Sequence, residues 1–180
     1  MTIKKNFKNI KIYKKNIPSY TYLVQFKFPI DYPNIHSKIT KLFKIGSVTN
    51  LDRLITKNNG QLLTIQNYGN KPRKYINPKP VIVDLFKIKN NLNHRLIESI
   101  YHQILKNLYN EVKINKWDKP KRRLTKSNEV YKYNKSIIIF FKKILNYIQN
   151  KYLKYNKYEL TKSEINCIKI SAINYFNNKI

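Results

Sequence analysis

Apolar and polar residues alternate most regularly near the start of the chain, where Tyr20, Tyr22, Val24, Phe26 and Phe28 are interleaved with Thr21, Leu23, Gln25 and Lys27. Period two with aromatic and β-branched residues is the pattern of a strand. Pro18 and Pro29 bracket it, and proline, lacking an N–H, stops a ladder. Ahead of it, Lys4 to Lys15 form a lysine-rich arm with isolated apolar positions at Ile10, Ile12 and Tyr13, read as an extension or a weak edge strand. After Pro33 the spacing of Ile35, Ile39, Leu42 and Phe43 predicts a helix, with Gly46 placed to end it. Asn50 can cap a short helix carrying Leu51, Leu54 and Ile55, which Asn58-Asn59-Gly60 terminates. Gln61 to Gln66 then reads as a short strand, and Pro80 to Leu85 as a second, apolar one.

Beyond that point the period changes to that of a helix. Leu92 to Val112 carries Leu92, Leu96, Ile97, Ile100, Ile104, Leu108 and Val112 along one broad side. Ser136 to Tyr155 repeats the pattern through Ile137, Phe141, Ile144, Leu145, Ile148 and Tyr152, although its opening SIIIFF also fits a strand. Thr161 and Glu164 form a capping box for a last helix whose stripe is Ile165, Ile168, Ala172 and Phe176. The expected fold class is α+β: a basic arm over 1–17, a mixed region over 18–112, a basic linker or loop over 113–135 and a helical region over 136–180, unless all of it forms one continuous domain.

Charge changes this picture more than any other property. Among 180 residues, 37 Lys and Arg face 9 Asp and Glu, a net +28, while 42% apolar and 13% aromatic content exclude a wholly disordered chain. Such a charge repels itself until a polyanion neutralises it, and its spread along the whole length predicts contact on several faces. Lys, Asn, Ile and Tyr abound, Gly occurs at only 3 positions, and the skew follows A/T-rich codons. Codon bias does not by itself account for the scarcity of acids.

The cations concentrate in two stretches. Lys113 to Lys135 holds Lys116, Lys119, Lys121, Arg122, Arg123 and Lys126 among its basic residues, with only Asp118 and Glu129 against them. It also contains Trp117, Tyr131 and Tyr133, and lysines interleaved with flat rings suit unpaired RNA, the lysines meeting phosphates and the rings stacking on bases. Asn67 to Lys79 is acid-free and sets Lys71, Arg73, Lys74 and Lys79 beside Tyr68 and Tyr75. The expected RNA-binding residues are Lys71, Arg73, Lys74, Tyr75, Lys79, Lys116, Trp117, Lys119, Lys121, Arg122, Arg123 and Lys126. Either stretch could instead be an ordinary solvated loop, with Trp117 packed on a helix.

Catalytic chemistry finds little support. No two of the acids Asp31, Asp52, Asp84, Glu98, Glu111, Asp118, Glu129, Glu159 and Glu164 stand within three positions of each other, so local metal-binding acid pairs are absent. Asp84 with Lys87 lacks the acid-x-lysine spacing of restriction-like nucleases. His94, Glu98 and His102 fall at i, i+4 and i+8, where neighbouring members can meet. Projection at about 100° per residue carries them toward the polar side, and zinc would need further ligands from His36 or Cys167; a solvated helix flank is the expectation. Cys167 is alone, which fits a reducing compartment and offers neither a disulfide nor a base-activated nucleophile. Three scattered glycines make no phosphate loop. We therefore expect no enzyme, no catalytic residue, no metal, no cofactor and no small-molecule substrate. The longest apolar run, Ile137 to Phe141, is far short of the ~20 residues a bilayer span needs, and MTIKKNFKNIKIYKKN is not a recognisable import sequence.

A short, lysine-, asparagine- and tyrosine-rich, acid-poor chain of this kind resembles ribosomal proteins encoded by A/T-rich protist mitochondrial genomes, ciliate ones in particular. The resemblance is one of composition along the whole chain and carries no site residue with it. It implies a structural constituent of an organellar ribosome, organelle-encoded and working in the mitochondrial matrix, with rRNA and neighbouring ribosomal proteins as partners. Two alternatives come from other classes: a peripheral, lineage-specific subunit of a respiratory membrane complex on anionic lipid, and a nucleic-acid-processing enzyme.

Overall fold

Strand pairing begins at Ser19 and follows the alternation read above. The structure, a computed structural model, describes residues 18–29, 39–55, 81–89, 91–109, 111, 114–118, 123–127 and 129–179. In chain order its elements are β1 (Ser19–Pro29), β2 (Ile39–Val48), α1 (Asp52–Ile55), β3 (Val81–Ile88), α2 (His94–Leu108), β4 (Ile114–Asp118), β5 (Arg123–Ser127), β6 (Val130–Lys132), α3 (Lys135–Leu153) and α4 (Lys162–Asn177). β1, β2, β3 and β6 make a four-stranded sheet in the order β3-β1-β2-β6, every pair antiparallel. An antiparallel sheet with the three long helices packed on one of its faces is an α+β architecture.

Both faces of this sheet are covered. Tyr22, Val24 and Phe26 of β1 join Leu42, Val48, Val130 and Leu54 of α1 in one buried cluster. Leu23, on the other side of the pleat, joins Phe43, Ile45, Ile88 and Tyr131, and beneath these pack Ile97, Ile100 and Ile104 of α2, Phe141, Ile144 and Ile148 of α3, and Ile168, Ala172 and Phe176 of α4. The aromatic set of β1 therefore looks away from the helices, and Leu23 of the interleaved set looks toward them. Cross-strand pairing puts Tyr22 opposite Gly46, Val24 opposite Lys44 and Phe26 opposite Leu42. On the other edge the register against β3 shifts between Leu23, which faces Asp84, and Val24, which faces Ile82, so Val83 is the extra residue of a bulge.

The helices start where their caps dictate. Asn93 Oδ1 accepts the Leu96 amide at 3.2 Å and Asn134 Oδ1 accepts that of Ser136 at 2.8 Å. At Thr161 the box is complete, with Oγ1 accepting from Glu164 N at 3.3 Å and Glu164 Oε2 accepting from Thr161 N at 2.7 Å. α2 ends at Leu108, short of Val112, because Tyr109 turns to extended backbone and places its side chain in the core. SIIIFF is helical: Ile137 and Phe141 are buried while Ile139 between them is 49% exposed, the spacing of a helix and not of a strand. The α3 and α4 hairpin closes on Phe176, whose ring meets Phe140 edge-on at 5.8 Å and Tyr147 at 5.9 Å.

One expectation is corrected. The helix read through Ile35, Ile39, Leu42 and Phe43 is absent over its described part, since Ile39 to Val48 is β2. Leu42 and Phe43 are both buried because each serves a different face, so adjacent apolar residues imitated helical spacing. Gly46 caps nothing and instead faces the ring of Tyr22. The basic segment 113–135 contains β4, β5 and β6, and the last of these pairs with β2 and ties the segment into the main sheet. The short helix after Asn50 is present, with Asn50 Oδ1 accepting from Asp52 N at 2.8 Å, as is the strand read over Pro80 to Leu85, from Val81 onward. The arm Lys4–Lys15, the strand Gln61–Gln66 and the loop Asn67–Lys79 lie outside the described residues.

Candidate nucleic-acid interface

Four of the expected RNA-binding residues sit on one ribbon. β4 and β5 form a two-stranded antiparallel sheet that places Asn115 opposite Lys126, Lys116 opposite Thr125, Trp117 opposite Leu124 and Asp118 opposite Arg123. Lys119, Lys121 and Arg122 lie outside the described residues, as do Lys71, Arg73, Lys74, Tyr75, Lys79 and Tyr68.

The other two rings of the central segment behave differently from each other. Tyr131, expected to offer a stacking face, is fully buried. It lies 5.9 Å from the His102 ring, and burial raises its phenol well above the ordinary range, with the charges of Glu111 and Glu129 adding to the shift. Tyr133 is 44% exposed. It stacks on Phe43 at 5.5 Å and has the Lys41 ammonium 5.3 Å from its centroid.

A second cationic and aromatic surface was not foreseen from the sequence. Along α3 the Lys143 ammonium lies 5.5 Å from the Phe140 ring and that of Lys151 lies 5.4 Å from Tyr147. Where α4 ends alongside, Tyr175 stacks on Tyr147 at 5.1 Å and Lys179 reaches 4.5 Å from the Tyr175 ring. Lys179 also donates to the Tyr175 hydroxyl at 3.1 Å. Phe140, Tyr147 and Lys151 fall within about 40° of one another on the helical projection at ~100° per residue, beside the stripe that enters the core. That placement was readable; the pairing of Tyr147 with Tyr175 was not, because it depends on how α4 folds back.

Of the group expected on a solvated flank, His102 and Glu98 are instead packed against the sheet. The His102 side chain is 12% exposed and that of Glu98 20%. Ser47 Oγ donates to Glu98, and His102 Nδ1 lies 2.8 Å from the Tyr131 hydroxyl. His102 Nε2 stands 3.8 Å from Glu98 Oε1, beyond hydrogen-bond distance. Glu98 thus ties α2 to Ser47 of β2, and His102 ties it to Tyr131 of β6. His94 is held below its usual pKa by burial first and then by Arg95. Among the described residues no group of three or more His, Cys, Asp or Glu side chains could hold a metal. Asp84 pairs with Lys142 at 2.8 Å and not with Lys87. Cys167 is an exposed free thiol.

With the α+β fold and its cationic, ring-bearing surface in place, no protein family, no curated protein and no solved structure matches this chain. Among the described residues no helix is long and apolar enough to cross a membrane.

Proposed function

We propose that this chain is a structural, rRNA-binding constituent of an organellar ribosome, working in the mitochondrial matrix beside neighbouring ribosomal proteins. The observation that carries this reading is how the cations are partnered. Among the described residues Asp84, Glu111, Glu129 and Glu164 pair with lysines, while Lys41, Lys143, Lys151 and Lys179 lie against aromatic rings. With 9 acids for 37 Lys and Arg, the remaining charge is matched by phosphate. Ring-backed ammonium groups on a scaffold with packed cores suit a protein lodged in folded RNA, where cations screen phosphates and rings stack on unpaired bases.

The reading is tested by sedimenting gently lysed organelles through a gradient and following this chain by mass spectrometry. Co-migration with one ribosomal subunit, lost after RNase or high salt, is the expected result. Migration with a detergent-solubilised membrane complex, indifferent to RNase, overturns it.

A further inference from the structure

We propose that the ridge made by α3 and the end of α4 is a stacking site for an unpaired base of single-stranded RNA. Tyr175 is its contact ring, and Lys143, Lys151 and Lys179 are its phosphate ligands. The inference rests on the RNA-bound reading above and extends it to a site outside both basic stretches of the sequence.

Tyr175 is 46% exposed, yet its plane is set by two neighbours: Tyr147 stacked on it at 5.1 Å and 22°, and Phe176 at 88° to it at 4.8 Å. Phe176 in turn is 1% exposed. A ring held this way has already lost its rotational freedom on folding, so a base stacking on it need not order it again. The ammonium groups of Lys143, Lys151 and Lys179 ring the platform at 5.5, 5.4 and 4.5 Å from aromatic centroids. Among the described residues no carboxylate lies within ion-pair distance of them, so an arriving phosphate breaks no salt bridge. α3 carries Lys135, Lys142, Lys143 and Lys151 and no acid, which leaves the surface complementary to an anionic strand along its length.

The choice of ligand follows from the same groups. A flat ring gains from a base whose face is open, and in a duplex the base faces are already stacked on each other. A second copy of the chain brings another +28, which opposes self-association through this surface. An anionic lipid surface shares the charge but offers no flat unsaturated face for the Tyr175 ring to stack on, and the vesicle probe below separates the two.

The test uses the full chain and labelled oligouridylate of about 12 nucleotides, a length within the range one such surface spans, with an RNA duplex of equal length and anionic phospholipid vesicles as parallel probes. Tyr175→Leu is expected to weaken single-strand binding about fivefold to a hundredfold with duplex binding unchanged, and Tyr175→Trp to retain or tighten it. Lys143→Gln with Lys151→Gln leaves every ring in place and is expected to lower the salt slope by about 1.5, which reads the site even if Tyr175→Leu disturbs the fold. Unchanged single-strand binding in both variants overturns the ridge alone. Equal losses for single strand and duplex in the tyrosine variant, or vesicle binding where oligonucleotide binding is missing, also overturn it. A wild-type chain that binds no RNA of either form overturns the ribosomal reading as well.

Discussion

The ammonium of Lys44 lies 2.7 Å from Oε2 of Glu129, with the lysine side chain 4% exposed and the glutamate 44%. One buried cation in the middle of β2 thus meets a carboxylate from the chain just ahead of β6. The same joint is closed by backbone, Ile45 N donating to Glu129 O at 3.1 Å and Tyr133 N to Lys41 O at 2.9 Å. Burying an ammonium is costly unless it is paired and hydrogen-bonded. Glu129→Ala is therefore expected to lower stability by about 2 kcal/mol, below the 3–5 kcal/mol of a fully buried pair because the carboxylate is half in water. Lys44→Met, which removes the cation and keeps the volume, should cost less. Urea unfolding midpoints at constant m-value check both.

Gly46 is required by its cross-strand partner. A Cβ built there would stand 2.7 Å from Cζ and 3.2 Å from Cε1 of Tyr22, a ring buried to 2% exposure. Gly46→Ala is expected to destabilise the fold by about 1–3 kcal/mol. Combining it with Tyr22→Leu should cost less than the sum of the two single changes, a coupling that a double-mutant cycle on thermal or urea unfolding measures.

Alkaline pH should unfold the protein through its tyrosines. Burial raises the phenols of Tyr109 and Tyr152 to about 12 from the ordinary 10.0, and pushes Tyr101 well above it. A folded pKa above the unfolded one means that the neutral form is favoured by folding. The stability this contributes is whole below pH ~10 and is lost as pH rises through about 12. Absorbance titration at the phenolate band is expected to show exposed tyrosines ionising first and reversibly. The buried ones should follow in a steep step that coincides with loss of helical circular dichroism; smooth titration of all 15 tyrosines near the ordinary value would contradict it.

The central basic segment should dominate the salt dependence of RNA binding. Replacing Lys119, Lys121, Arg122 and Arg123 by Gln removes four cations at and beside the β4 and β5 ribbon. For a single-stranded ligand the slope of log affinity against log salt should become shallower by about 3. Affinity measured across a salt series for both proteins gives that slope directly, and equal slopes would place the segment outside the interface.

The parts of this fold that could be read from the sequence are those whose cause is local. The stripe of α2, the capping box at Thr161 and Glu164, and the alternation of β1 each depend on residues a few positions apart, and each stands in the structure. The +28 charge and the scarcity of acids likewise needed no coordinates, and the polyanionic partner proposed above rests on them. Tertiary structure decided the rest. β2 looked helical because Leu42 and Phe43 are both apolar, and they can be neighbours on a strand only when each face of the sheet has its own core. β6 is three residues whose strand state comes from pairing with β2, a contact between residues far apart in the chain. Tyr131 reads as a surface ring until that pairing turns it toward His102. The ridge exists only because α4 returns antiparallel to α3 and lays Tyr175 on Tyr147. Local patterns set which segments become helices and strands, whereas the faces they bury and the side chains they bring together are fixed by contacts between distant residues, whose register no local pattern encodes.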